Sequence, residues 1–180
     1  MKLFWLDLET TGLDPIRDSI LEVAILEADL RDPFSTHLSV RQWILPLPVG
    51  TVLSPFIQEM HTKNGLLSEC GGVQHQDNTV EKVESYLLNM VPWVEASEDR
   101  PTLAGSSVHF DHGFLKVHMP ELAKRFMHRY YDVSAIKLFC RSLGMERVPK
   151  AEAHRAADDV LESIQHAQHC VNWLKYGWKQ

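Results

Sequence analysis

The sequence has few cysteines, no long apolar run and no internal repeat. Its three cysteines, Cys70, Cys140 and Cys170, are odd in number and far apart along the 180-residue chain, which argues against a disulfide framework and favours a reducing compartment. No apolar stretch approaches the length of a membrane span, and Asp7 and Glu9 interrupt the opening apolar run too early for a signal peptide. We therefore expect a soluble cytoplasmic enzyme or binding domain without a membrane partner.

Positive charge is also scarce. The chain has 18 Lys and Arg against 24 Asp and Glu, a formal net charge of −6. Proteins that track long nucleic acids are usually basic, so binding to an extended duplex is disfavoured. Short anionic substrates remain compatible with this charge if bound cations cancel part of it. With 44% hydrophobic residues, the chain is long enough for one domain with a real core, and we expect a single domain over residues 1–180.

The apolar segments predict a mixed α/β fold. Strands are expected at residues 2–8, 19–28, 36–43, 102–106 and 130–133, the third of them at an antiparallel edge. Helices are expected to start near Pro55 and Asn78, to cover residues 110–116 and 121–127, to run from Ser134 through Leu143, and to continue from about Ala156 into the 170s. This order predicts a five-stranded sheet, with a three-strand antiparallel meander plus parallel strands, flanked by helices.

Two carboxylates end the first predicted strand. Asp7 and Glu9 are two residues apart, so a strand places both on the same face. The apolar and aromatic residues 3–6 indicate a covered central strand, where two like charges cost free energy unless protons, bases or metal ions compensate. The alternative is an acidic pair that faces solvent at a strand end. The covered setting favours a functional pair.

Three further candidates lie far along the chain. Asp111 falls near the start of a helix, where an acid is tolerated. If the fourth strand is the neighbour of the first in the sheet, Asp111 would lie beside Asp7 and Glu9. Asp159 lies on the apolar stripe of the last helix, whereas Asp158 points outward, and a core-facing carboxylate is costly unless it is neutralised or ligates a cation. His154 precedes Asp159 by five residues, about 140° of helical rotation, so the two cannot share one face. We therefore expect His154 on the loop that leads into this helix, close to the site.

Together these residues have the chemistry of a metal-dependent hydrolase. Asp7, Glu9, Asp111 and Asp159 are hard oxygen donors of the kind that suits Mg²⁺ or Mn²⁺ rather than zinc. Four carboxylates match the needs of two divalent cations that share a phosphate, and two such ions would bring the formal charge from −6 to −2. His154, with a near-neutral intrinsic pKa, could then remove the proton of the attacking water.

The same residues resemble the motifs of a known superfamily. Residues 7–15, Asp-Leu-Glu-Thr-Thr-Gly-Leu-Asp-Pro, are similar to the first motif of the DEDDh 3′–5′ exonucleases, Asp111 occupies the second motif, and His154 with Asp159 matches the third. The resemblance implies a ribonuclease-H-like fold and a two-metal site formed by Asp7, Glu9, Asp111 and Asp159. It also implies that His154 is the general base.

Within that superfamily the chain resembles the oligoribonucleases over nearly its whole length, notably at residues 13–18, 61–66, 105–107, 119–122 and 129–134. This implies a homodimer that degrades very short RNA, dinucleotides above all, to nucleoside 5′-monophosphates. The substrate-binding residues implied are Leu13 as a wedge between two bases, Thr10, Phe56 and His61 around the bases, and Ser107, His128, Arg129 and Ser134 around the 5′ phosphate. Arginine and hydroxyl groups suit such a phosphate clamp, and a closed clamp selects by length.

Three positions differ from the usual oligoribonuclease pattern. Thr10, Phe56 and His128 stand where Met, Trp and Tyr are usual. These changes keep a second hypothesis open, a short-substrate or proofreading-like 3′–5′ deoxyribonuclease, because no residue in the sequence identifies a reader of the 2′-hydroxyl. A third hypothesis is a catalytically silent nucleic-acid-binding module, although all five motif residues are present. The sequence leaves the length cutoff, the sugar preference and the physiological metal open.

Overall fold

A mixed five-stranded sheet forms the centre of the molecule. The computed structural model describes residues 2–29, 32–34, 39–149 and 154–177. The strands are β1 (Lys2–Thr10), β2 (Ile20–Asp29), β3 (Arg41–Ile44), β4 (Thr102–Gly105) and β5 (Tyr130–Asp132). Their order is β3-β2-β1-β4-β5; β1–β2 and β2–β3 are antiparallel, and β1–β4 and β4–β5 are parallel. The predicted fold class is confirmed.

Helices cover both faces of this sheet. They are α1 (Pro55–Lys63), α2 (Leu66–Cys70), α3 (Val80–Met90), α4 (Val108–His118), α5 (Pro120–Ala123), α6 (Val133–Ser142) and α7 (Ala156–Asn172), followed by a π-helical turn at Trp173–Gly177. One core places Phe4, Leu6 and Leu8 of β1 against α3, α4 and α5. A second core places Leu3 and Trp5 on the opposite face, against α7. Because side chains alternate along a strand, Asp7 and Glu9 belong to the face that α7 covers.

Several predicted boundaries were wrong. The third strand was predicted at 36–43 but is β3, Arg41–Ile44; residues 36–38 lie outside the described residues, and 39–40 are not in a strand. The helix predicted at 121–127 is the single turn α5, and the short helix α2 lies in a segment that was predicted to be loop. Helix α3 is capped by Thr79 rather than Asn78, whose amide donates to the carbonyl of Ile44 instead. Helix α6 is capped by Asp132 rather than Ser134.

The central strands approach each other most closely where β4 ends. A Cβ at Gly105 would lie 2.7 Å from the carbonyl oxygen of Leu6, closer than any side chain permits. Glycine is therefore required there for β4 to pack beside β1. The chain then turns at Ser107, which has a positive φ of 61° and begins α4. This tight turn brings the start of α4 next to the acidic end of β1.

Candidate active site

Three carboxylates converge where β1 ends. One oxygen each from Asp7, Glu9 and Asp159 lies within 4.8 Å of the others. The first two come from alternate positions of β1, and the third comes from the first turn of α7, which packs on the same face of the sheet. Asp159 is partly buried and Asp158 is exposed, as the stripe of apolar residues predicts. The geometry therefore brings Asp159, from the last helix, to the pair of acids that ends the first strand.

Asp111 approaches the same strand end from the other face. It lies in the first turn of α4, is 4% exposed, and accepts a hydrogen bond of 3.1 Å from the backbone nitrogen of Leu8. Leu8 lies between Asp7 and Glu9, so Asp111 is next to the cluster, but it is not one of the three carboxylates within 4.8 Å of each other. Burial raises the pKa of Asp111 to about 8, because a low-dielectric environment disfavours the charged form.

His154 lies immediately before α7 in a strained backbone conformation. Its φ is +46°, which a non-glycine residue adopts only when surrounding contacts hold it. The side-chain amide of Asn64 donates to the carbonyl oxygen of His154. The loop placement predicted for His154 therefore agrees with its position in the structure.

The next residue, Arg155, fixes the start of α7 to the sheet. Its guanidinium donates at 2.9 Å to the carboxylate of Glu22, which has no exposed side-chain surface, and at 2.8 Å to that of Glu69. The other oxygen of Glu22 accepts from the backbone nitrogen of Ala156 at 2.9 Å. Strand β2 and helix α2 thus hold the segment that carries His154, and nothing in the sequence patterns had identified this network.

His61 and Thr10 lie beneath the site rather than in an open pocket. His61 of α1 is completely buried, and its Nε2 lies 3.2 Å from the carbonyl oxygen of Thr10 and 3.9 Å from a carboxylate oxygen of Glu9. Burial lowers the pKa of His61, so a neutral ring is favoured beside Glu9. The hydroxyl of Thr10 donates to the carbonyl of Gly12 at 2.6 Å. Both residues therefore shape the strand end and the turn after it.

Two large apolar side chains are exposed on elements that adjoin the end of β1, the turn that follows it and helix α1. Leu13, in the turn after β1, is 79% exposed, and Phe56, at the start of α1, is 71% exposed. The turn that carries Leu13 is held by Asp18, whose carboxylate accepts from the hydroxyl of Thr11 and from the backbone of Asp14. A large apolar side chain on a firmly held turn can serve as a stacking surface for a nucleobase.

Asp7 and Asp159 of the cluster also line a cavity of about 260 Å³, which we call the catalytic cavity. Its lining combines acids, hydroxyl groups and one cation: Asp7, Ser106, Ser107, Ser134, Lys137, Asp159, Glu162 and Ser163. The hydroxyl groups of Ser107 and Ser134 are hydrogen-bonded to each other at 3.1 Å. His128 and Arg129 are exposed and do not line this cavity. Lys137 supplies a cation there that sequence reasoning missed.

The donor set fits hard divalent cations. Three carboxylates within 4.8 Å repel one another, and positive charge between them relieves that repulsion. Carboxylate oxygens are the ligands that Mg²⁺ and Mn²⁺ prefer, and no cysteine or histidine belongs to this group of the described residues. The residues present can therefore hold divalent metal ions of this kind.

Comparisons with known proteins give a consistent picture. An exonuclease family model, RNase_T, matches residues 4–166. The chain is 36% identical over 174 residues to the mitochondrial oligoribonuclease of Mus musculus, covering 93% of this chain and 70% of that protein. It is 34% identical over 172 residues to the oligoribonuclease of Serratia proteamaculans, covering 90% and 89%.

Solved structures resemble this fold at low sequence identity. A zinc-bound complex of Escherichia coli exonuclease I with single-stranded DNA superimposes with a TM-score of 0.67 at 12% identity. Exonuclease I of Methylocaldum szegediense superimposes with a TM-score of 0.70 at 15% identity. Each match covers 98% of this chain but 41% of the other, so this chain spans about two fifths of those proteins. The likeness shows a ribonuclease-H-like exonuclease fold. No helix in the described part of the chain is long and apolar enough to cross a membrane.

Proposed function

This chain belongs to the oligoribonuclease family of 3′–5′ exonucleases, and we propose that it hydrolyses short RNA strands from the 3′ end, releasing nucleoside 5′-monophosphates. The observation that carries the proposal is the convergence of Asp7, Glu9 and Asp159 within 4.8 Å, beside a cavity lined by serine hydroxyl groups. Such a site combines ligands for cations with donors for a phosphate. The whole activity is proposed to reside in one domain, residues 1–180.

The metal centre is proposed to use four carboxylates. Asp7, Glu9, Asp159 and Asp111 would together hold two divalent cations, Mg²⁺ or Mn²⁺. Asp111 adjoins the cluster, because it accepts a hydrogen bond from the backbone nitrogen of Leu8, between Asp7 and Glu9. When bound, these ions would supply charge stabilisation for the phosphodiester undergoing displacement. Asp111 would contribute as an anion, because bound cations favour the ionised form of a buried carboxyl.

His154 is proposed to be the general base. It lies on the segment before α7, five residues from Asp159, and its backbone is held by Asn64 and by the neighbouring Arg155. A neutral imidazole placed beside the water accepts its proton as the water attacks phosphorus, and the 3′ oxygen of the preceding nucleotide leaves. The strained backbone of His154 then orients the ring before substrate arrives.

Substrate length is proposed to be set by the contacts on either side of the metal centre. Exposed Leu13 and Phe56 would hold the two bases of a dinucleotide, with Thr10 and His61 shaping the floor beneath them. Ser107 and Ser134 would bind the phosphate at the 5′ side. RNA of two to a few residues fills this space, dinucleotides above all, and His128 and Arg129 are proposed to reach the phosphate only when substrate is bound.

We further propose that the enzyme works as a homodimer in the cytoplasm. The proposal follows from membership of the oligoribonuclease family, and Tyr176, exposed on the C-terminal turn, is a candidate contact for a second copy. Light scattering on the purified chain tests the dimer directly, and a mass of one chain at micromolar concentration would contradict it.

One digestion series tests the function. Matched RNA and DNA strands of two, three, four and ten residues are incubated with the protein plus Mg²⁺, Mn²⁺ or EDTA, and nucleoside monophosphates are quantified. We expect release of 5′-monophosphates from short RNA, faster than from DNA, and no release in EDTA. Faster cleavage of DNA would support the deoxyribonuclease hypothesis. Binding of dinucleotides without cleavage under any metal would support the silent module.

A further inference from the structure

A histidine at the end of α4 contacts the turn that follows β1. The Nε2 atom of His118, the last residue of α4, lies 2.9 Å from the backbone carbonyl oxygen of Pro15. A carbonyl oxygen only accepts hydrogen bonds, so Nε2 carries the hydrogen and donates it. Pro15 follows Leu13 by two residues, and Leu13 is the exposed side chain that is proposed to contact a base. The hydrogen bond therefore lies close to the proposed base-binding surface.

The other hydrogen bonds of this turn are internal. The carboxylate of Asp18 accepts from the backbone nitrogen of Asp14, and the carboxylate of Asp14 accepts from that of Ile16. Within the described part of the chain, His118 is the one residue outside the turn and its flanking residues that forms a hydrogen bond with residues 12–18. Internal hydrogen bonds fix the shape of the turn, whereas a contact from another element fixes its position relative to the rest of the site.

The imidazole ring of His118 is itself held in place. It stacks on the ring of Phe114, one helical turn earlier in α4, with centroids 5.7 Å apart and planes 14° from parallel. Phe114 has no exposed surface, and His118 is half-buried. A ring that packing already restricts loses little further side-chain entropy when it forms a hydrogen bond. His118 is therefore a firmer support for Pro15 than a freely rotating side chain would be.

The same helix contacts the acidic end of β1. Asp111 of α4 accepts a hydrogen bond of 3.1 Å from the backbone nitrogen of Leu8. Seven residues, or about two helical turns, separate Asp111 from His118, so both lie on one side of the helix about 10 Å apart. Leu8 and Pro15 are also seven residues apart along the chain. One helix therefore holds the segment that runs from the acidic cluster to the base-binding turn at two points.

From this we infer that His118 is a positioning residue for substrate binding. Through Pro15 it holds Leu13 at the distance from the acidic cluster at which a base packs on Leu13 while the phosphodiester reaches the acids. The inference rests on the proposed function, since it assumes that Leu13 contacts a base. His118 acts through the turn and not on the reacting atoms, so its loss weakens dinucleotide binding and leaves bond cleavage nearly unchanged.

Two substitutions of His118 separate its hydrogen bond from its packing. H118F keeps a ring on Phe114 but removes the donor, and H118Q places an amide donor near the position of Nε2. We expect H118F to raise the KM for dinucleotide RNA by about fivefold, as for one lost hydrogen bond, with kcat within about twofold of wild type. H118Q should keep a KM near that of wild type. K116A, at an exposed position of the same helix, is the control and should retain wild-type kinetics.

A double-mutant cycle with L13A determines whether His118 acts through Leu13. L13A removes the base contact, and we expect it to raise the KM by about tenfold. In the L13A background, H118F should raise the KM by less than about 1.5-fold, because the position of the turn matters little once the contacting side chain is gone. A role in general stability would instead raise the KM by the same factor in both backgrounds.

Hydrogen exchange gives a measurement that needs neither RNA nor metal ions. The backbone amides of Ile16, Arg17 and Asp18 donate hydrogen bonds within the turn. We expect these amides to exchange faster in H118F than in wild type or H118Q, because the turn opens more often without its contact to α4.

The outcomes are distinct. A KM in H118F equal to that of wild type overturns the role of His118, as do equal effects of H118F in both backgrounds, a loss of kcat at unchanged KM, or unchanged hydrogen exchange; in each case the proposed function stands. A wild-type protein that cleaves no RNA at any length overturns the proposed function, and the role of His118 with it.

Discussion

Substitution of His154 should separate an effect on catalysis from an effect on substrate binding. We expect H154A to lower kcat by roughly 10²–10⁴-fold with little change in KM, because the general base is lost while the substrate contacts remain. Steady-state kinetics on a dinucleotide measures both constants. H75A, in the connection between α2 and α3, serves as the control and should retain wild-type kinetics. A change confined to KM would remove His154 from the proposed role.

Asp111 gives a second prediction at this scale. Its pKa is raised from 3.8 to about 8 by burial, so in the metal-free protein it is protonated when folded and ionised when unfolded at neutral pH. The resulting stabilisation is complete below pH 3.8, declines as the pH rises, and is lost above about 8. We therefore expect metal-free D111N, which cannot ionise, to have a Tm a few degrees above that of wild type at pH 9, with the difference shrinking toward pH 4.

Thermal unfolding in EDTA across this pH range measures the effect, with the exposed D77N as the control. The same D111N variant should lack nuclease activity, since it offers one anionic ligand fewer. A difference in Tm that is independent of pH would show that Asp111 is not the titrating group.

Some site residues could be predicted from the sequence and others could not. Asp7 and Glu9 stand out because charges rarely end an apolar central strand, and Asp159 because it interrupts an apolar stripe of a helix. Lys137 and Glu162 lie on amphipathic helices, where a charged side chain normally faces solvent, so the sequence did not single them out. The packing of α6 beside α7 shows that both line the catalytic cavity.

Among the elements, β2 and the start of α7 are joined by a buried ion pair between Glu22 and Arg155. Removing one partner of a buried ion pair leaves an uncompensated charge, which costs about 3–5 kcal/mol. We expect R155M to lower the free energy of unfolding by about that amount, because Glu22 then remains buried without its guanidinium. Urea unfolding measures it, and kcat should fall as well, since Arg155 adjoins His154.

The double variant E22Q/R155M should recover much of this stability, because neither charge is then left unpaired. R17M breaks the exposed ion pair with Asp14 and should change the free energy of unfolding by less than about 1 kcal/mol. An R155M variant as stable as R17M would show that the network contributes little.

The boundaries of elements were harder to predict than their type. Apolar periodicity identified β1, β2, α3 and α7, which are long or strongly patterned. Two helix caps were predicted wrongly because Asn78 and Thr79, like Asp132 and Ser134, are all residue types that cap helices well. Only tertiary contacts decide between them: the side-chain amide of Asn78 donates to the carbonyl of Ile44 instead. The turn α5 is short because the chain after it forms tighter turns, with Arg125 donating to Leu122, and the backbone of Met127 then donates to the carbonyl of Pro101.

At the scale of the whole molecule, buried histidines predict an acid limit to stability. Burial lowers the pKa of His61, His112 and His166 below 6.5. A group whose pKa is lowered by folding contributes stability above its unfolded pKa and loses it as the pH falls. We expect the free energy of unfolding to decrease from pH 7 toward pH 5, with each fully shifted histidine contributing a slope of up to about 1.4 kcal/mol per pH unit.

Urea unfolding at pH 7.5, 6.0 and 5.0 checks this decrease. It is best measured in D111N, where the opposite titration of Asp111 is absent. H112Q/H166Q should flatten the profile, whereas H75Q should leave it unchanged. An equally steep profile in H112Q/H166Q would assign the acid sensitivity to other groups.

The carboxylate of Asp132 has a consequence for how the rim of the catalytic cavity moves. It accepts hydrogen bonds from the backbone nitrogens of Ser107 and Val108 at the start of α4, and from those of Ser134 and Ala135 at the start of α6. One side chain therefore secures the first turns of two adjacent helices that both line the catalytic cavity. These four amides should exchange their hydrogens with a single shared opening free energy, so this part of the cavity rim opens as one unit.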